Sequence, residues 1–107
     1  MTGEERFWRL GAELQKQDDR VEVGTIMSSR CLRVGKEFLA LYDTKQGGAV
    51  VKLPKDRVAA LIDAGHGLSF APAGRVFKEW VLVPDTHSRR WPKLMRDGID
   101  FVGESGR

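Results

Sequence analysis

Arg30-Cys31-Leu32-Arg33-Val34-Gly35-Lys36-Glu37-Phe38-Leu39-Ala40-Leu41-Tyr42 is the stretch on which the fold turns. Two runs rich in β-formers are separated only by Gly35-Lys36, a tight-turn pair whose glycine can take a positive φ, so a hairpin is predicted here. Downstream, Asp43 to Gly48 is a polar loop closing on Gly47-Gly48, and Ala49 to Leu53 reads as a third strand stopped by Pro54. Three strands joined by short loops make an antiparallel meander.

Around the meander the period changes to that of helices. Phe7, Leu10, Gly11 and Leu14 recur on one face of a helix over residues 3–17, with Thr2 and Glu5 spaced as a capping box and Trp8 beside the apolar stripe. Asp18 to Val23 is polar and reads as a connection. Pro54 suits the start of a second helix over 55–64, with Val58, Leu61 and Ile62 inward and Gly65 just past its end. His66 to Gly74 is irregular, and Gly74 opens a strand running through Val83 that could join any edge of the meander. Asp85, Thr86 and Ser88 each offer an N-cap for a final helix, with Trp91, Leu94, Met95, Gly98, Ile99 and Val102 as its core stripe and Phe101 alongside. Pro92 fits its first turn, Gly103 ends it, and 104–107 should fray. Helix, three strands, helix, strand, helix predicts one α+β domain, an antiparallel sheet of four to five strands with segregated helices packed on it.

Composition narrows the function classes. The chain has 107 residues, 41% hydrophobic and 31% charged, which is globular material with one core. No apolar run approaches a membrane span and the N-terminus is charged, so a cytoplasmic protein is expected. Cys31 is the one cysteine, which precludes an internal disulfide and leaves zinc without its usual thiolates. A net charge of +3 tolerates an anionic partner without demanding one. Catalytic signatures are missing: His66 and His87 fall in a loop and near a helix start, Ser28-Ser29 has no placed base, and Gly65-His66-Gly67 lacks phosphate-loop spacing. We expect no metal, no cofactor and no enzyme.

Three surfaces stand out. Gly74 to Pro84 carries Arg75, Lys78, Glu79 and Trp80 in a strand otherwise apolar on both faces, so an ion pair is expected between Arg75 or Lys78 and Glu37 or Glu79. If the strands register suitably, Arg33, Lys52, Lys78 and Trp80 share the face away from the core, a basic surface with one aromatic for base stacking; the alternative is that a terminal helix covers Trp80. His87, Arg89, Arg90, Lys93 and Arg96 form a second basic cluster at a helix start, where cations oppose the dipole, or else a solvated helix face. The third is self-association: free sheet edges and apolar residues on both faces (Leu39, Leu41, Val50, Leu82) suit a homodimer.

Met27-Ser28-Ser29-Arg30, Gly35-Lys36 followed by Phe38, Lys52-Leu53, and Gly74-Arg75 with Lys78-Glu79-Trp80 and then Trp91 together resemble the TfoX N-terminal-domain family, and more distantly the YjbR-like proteins. The resemblance spans about 26–102. It departs where that family carries Met-Phe-Gly-Gly and this chain has Met27-Ser28-Ser29-Arg30. It implies a non-enzymatic regulator: TfoX proteins regulate natural competence, and YjbR-like proteins have been described as DNA-binding. A regulatory or protein-interaction module is therefore the leading expectation, a nucleic-acid binder the second and an enzyme the third.

Overall fold

Thr2 does what its spacing requires. Its side chain accepts the Glu5 N–H at 3.1 Å while the Glu5 carboxylate accepts the Thr2 N–H, closing the box that starts α1 (Gly3–Gln17). The computed structural model describes residues 1–105. After α1 come β1 (Val21–Ile26), β2 (Ser29–Val34), β3 (Glu37–Asp43), β4 (Gly48–Lys52), α2 (Lys55–Asp63), β5 (Leu68–Ser69), β6 (Trp80–Pro84) and α3 (Trp91–Ser105), with a 3-10 turn at Asp85–Arg90. The strands form one antiparallel sheet of order β1-β2-β3-β4-β6-β5, an α+β fold with six strands rather than four or five.

Several boundaries correct the sequence reading. The connection expected at 18–23 is shorter, because Val21 begins an edge strand paired with β2 from Val21–Val34 to Ile26–Ser29. Its turn is Met27-Ser28, both left-handed at φ 50 and 65, where glycine or asparagine is usual. The irregular stretch after α2 contains β5, which pairs with β6 through Leu68–Leu82 and Ser69–Val81. Conversely, 74–79 is loop, and the last long strand starts only at Trp80. The side-chain caps expected for the final helix are replaced by the 3-10 turn, which has none. Gly103 does not end α3: the helix runs on through Glu104, and the fraying expected at 106–107 lies outside the described residues. The end of α2 is as expected, with Gly65 at φ 78 and its N–H on Ile62 O, while His66 N–H reaches Leu61 O.

The sheet separates two cores. On one side Phe7 and Leu14 of α1, Val58 and Leu61 of α2, and Trp91, Leu94, Met95, Ile99 and Val102 of α3 pack on Leu32, Val51, Val81 and Val83. Trp91 is wholly buried there and donates its indole N–H to Val83 O at 3.0 Å, which removes the cost of hiding that donor. On the other side Cys31, Phe38, Leu41, Val50, Phe70, Trp80 and Leu82 form a second cluster that no helix joins. A bulge makes this possible. Leu32 pairs with Ala40 but Arg33 pairs with Phe38, so Leu39 is an extra residue, and Leu39 and Ala40 both point to the helices while Phe38 and Leu41 point away.

Candidate functional site

The second cluster is roofed by the chain between β5 and β6. Phe70 and Phe77 fold back over the sheet, tied by Phe77 N–H to Phe70 O at 3.1 Å, and Trp80 N–H returns to Phe77 O. Trp80 lies between rings: Phe38 at 4.2 Å, Phe77 at 4.6 Å and Phe70 at 5.7 Å, all near parallel. Stacked aromatics of this kind add stability beyond the area they bury. Trp80 is 9% exposed as a result, covered by a loop rather than by the terminal helix that the alternative reading named.

Where that roof meets α2 an apolar groove of about 320 Å³ stays open. Its walls are Val58, Ala59 and Ile62 of α2 opposite Val76 and Phe77, with Trp80 at its base and Lys55, Asp56 and Lys78 at its mouth. Val76 is 53% exposed at the edge of the groove. β5 is only two residues long and pairs with Leu82 and Val81 of β6, and its Ser69 lines the groove.

The other candidate residues are placed as follows. Arg33, Lys52 and Trp80 do share the face away from the helices, Lys52 lying opposite Trp80 and Arg33 opposite Phe38 in the ladders. Arg33 is occupied within the fold, however: its guanidinium crosses Gly24 to donate to Thr25 O and to Lys36 O at 3.1 Å. A Cβ on Gly24 would strike it at 2.5 Å, which accounts for the glycine. Lys52 is half-buried and Lys78 is exposed in the loop. The ion pair expected for Arg75 or Lys78 is not formed; among the described residues the ion pairs join Arg20–Asp18, Arg57–Asp97 and Lys93–Asp97, and Arg75 instead stands 6.0 Å over the Phe77 ring. Glu79 serves through its backbone, its carbonyl accepting Leu53 N–H at 2.9 Å. Gly35 at φ 62 and Lys36 make the predicted hairpin turn, and Gly74 at φ 80 turns the loop before Arg75. The apolar residues proposed for a dimer face are used internally: Leu41, Val50 and Leu82 lie under the aromatic roof and Leu39 under the helices.

In the second basic cluster Lys93 is held by Asp97 at 3.4 Å one turn along α3, while Arg89 and Arg90 are exposed. Beside it, Tyr42 donates to both carboxylate oxygens of Asp85 at 3.0 and 2.9 Å, and burial first, then this contact, push the phenol up to about 12. Among the described residues no group of three or more His, Cys, Asp or Glu side chains is placed to hold a metal ion, and no helix is long and apolar enough to cross a membrane. Cys31 is a free thiol fully buried in the second cluster.

Sequence reasoning overlooked Val76, Phe77 and Ile62 as groove walls. Phe70 and Phe77 flanking Pro72 and Gly74 was the available signal: aromatic anchors at both ends of a punctuated loop mark a loop that packs on something. Compared with protein-family models, with curated proteins and with solved structures, the chain finds no match.

Proposed function

We propose that this chain is a non-enzymatic regulatory or protein-interaction module, of the kind the TfoX N-terminal resemblance implies, working in the cytoplasm. The observation that carries the reading is the open apolar groove between α2 and Val76-Phe77, with lysines beside it. The occupant that fits is a partner segment offering one or two large apolar side chains with acidic residues beside them. Its apolar groups would meet Ile62, Val76 and Phe77, and its carboxylates would meet Lys55 and Lys78 at the mouth. A second copy of the chain fits less well, since both copies would bring the same lysines to the contact and a net charge of +3.

Selection of displayed random peptides on the intact protein tests this. Enrichment of apolar-acidic peptides whose binding is lost on Ile62→Glu and on Lys78→Glu, with unchanged circular dichroism, supports the groove. Absence of enrichment, or binders indifferent to both substitutions, overturns it, and a concentration-dependent mass abolished by Val76→Asp would instead assign the groove to a homodimer. The nucleic-acid alternative rests on the exposed Arg89 and Arg90. Titration with mixed-sequence DNA and RNA at two salt concentrations checks it, because phosphate contacts release counterions and weaken steeply with salt.

A further inference from the structure

His66 and His87 are the chain's two histidines, 21 positions apart, and the fold puts their rings together at 5.7 Å between centroids. His66 comes from the turn that closes α2, and His87 from the 3-10 turn, where its φ of −114 and ψ of 24 depart from helical values. Arg90 joins them, its Nη2 lying 3.2 Å from His66 Nε2. Arginine has no acceptor, so this ring nitrogen accepts and His66 carries its proton on Nδ1. Both rings are half-buried and Arg90 is exposed. Among the described residues no carboxylate pairs with Arg89 or Arg90, and the ion pairs formed elsewhere are all to aspartates.

We propose that His66, His87 and Arg90 form a binding site for a phosphate group, free or as a small phosphomonoester. Basic side chains from two separate elements converge there on one another instead of on carboxylates, and a bound dianion supplies the charge the site lacks. The spacing suits it. Each N–H to an anionic oxygen needs about 2.8 Å, so two rings 5.7 Å apart between centroids, with the Arg90 guanidinium beside His66, are close enough for an N–H of each to meet one tetrahedral ion. No bond is made or broken; the site binds. It is independent of the groove, sharing no residue with it.

The test is ring NMR of the two histidines in the intact protein, titrated with inorganic phosphate and with glycerol phosphate against chloride at matched ionic strength. The expected result is saturable shifts of both rings with one dissociation constant in phosphate, absent in chloride. Arg90→Gln should weaken that constant about tenfold or more, while Lys16→Gln, which removes an exposed charge from α1, leaves it within twofold. Saturation by both phosphates supports a monoester site, and saturation by inorganic phosphate alone supports a free-ion site. Linear, unsaturated shifts, equal shifts in chloride, or equal losses in Arg90→Gln and Lys16→Gln would overturn the proposal. His87→Gln, with the His66 ring as reporter, supplies a second variant should Arg90→Gln perturb the turn.

Discussion

Asp85→Asn probes the contact that ties three elements together. Asp85 receives the Tyr42 hydroxyl from β3, and its carboxylate also occupies the space beside Gly3, where any Cβ would overlap it, at the start of α1. A carboxylate there is favoured by the helix dipole. An ordinary tyrosine ionises near ~10, whereas burial and the Asp85 contact raise Tyr42 to about 12. The sign follows from proton binding. The folded state holds the phenol proton more tightly, so this contribution is complete below ~10 and is lost as pH rises toward ~12. Tyr42 is the single tyrosine, so phenolate absorbance reports on it alone. Near pH ~11 roughly a tenth of the folded protein and roughly nine-tenths of the urea-unfolded protein should be ionised. Asp85→Asn removes the charge but not the burial, so its midpoint should fall below that of the wild type and stay above that of the unfolded chain. A wild-type midpoint equal to the unfolded one, or a midpoint that Asp85→Asn leaves in place, would refute the reasoning.

Three further outcomes are expected. Met27→Asn combined with Ser28→Gly should raise stability by about 1–2 kcal/mol in urea unfolding, because both positions are left-handed; a loss would mean that the turn is held by contacts of the Met27 side chain. Arg33→Ala should cost about 1–2 kcal/mol and speed amide exchange across β1, since two charge-assisted bonds to Thr25 O and Lys36 O are lost at a partly exposed site, and any nucleic-acid affinity should be unchanged by it. Phe77→Ala should cost about 1–3 kcal/mol and make tryptophan emission more quenchable by acrylamide, because it strips one side of the Trp80 stack; unchanged quenching would mean that the roof does not shield the ring.

The parts legible in the sequence are those whose causes are local. The Thr2–Glu5 box, the Gly35-Lys36 turn and the stripe from Trp91 to Val102 depend on residues within a turn or two of each other, and they appear where expected. β1 was missed although Val21, Val23 and Thr25 alternate, because Gly24 interrupts the strand and Met27-Ser28 lacks turn chemistry; the strand is held by pairing with β2 and by Arg33 lying over Gly24. The charges of Arg75, Lys78 and Glu79 looked anomalous only as strand residues. In an exposed loop they need no partner. The shared face of Arg33, Lys52 and Trp80 followed from alternation, but its covering did not, because Phe70 and Phe77 reach it through tertiary folding that no period records. The meeting of His66 with His87 is of the same kind.

The surplus residue in β3 bears on how a chain of this type can change over generations. With Leu39 in place, Phe38 and Leu41 serve one core while Leu39 and Ala40 serve the other. Deleting Leu39 would straighten the strand into a regular ladder and leave Phe38 on Trp80, but it would take a fully buried leucine out of the helix-side core. Gains and losses of length should therefore collect in the Thr44–Gln46 loop and around Ala71–Ala73, whose side chains are exposed, while the count from Glu37 to Tyr42 stays fixed. The surplus residue thus adds one large side chain to the helix-side core without taking any from the other.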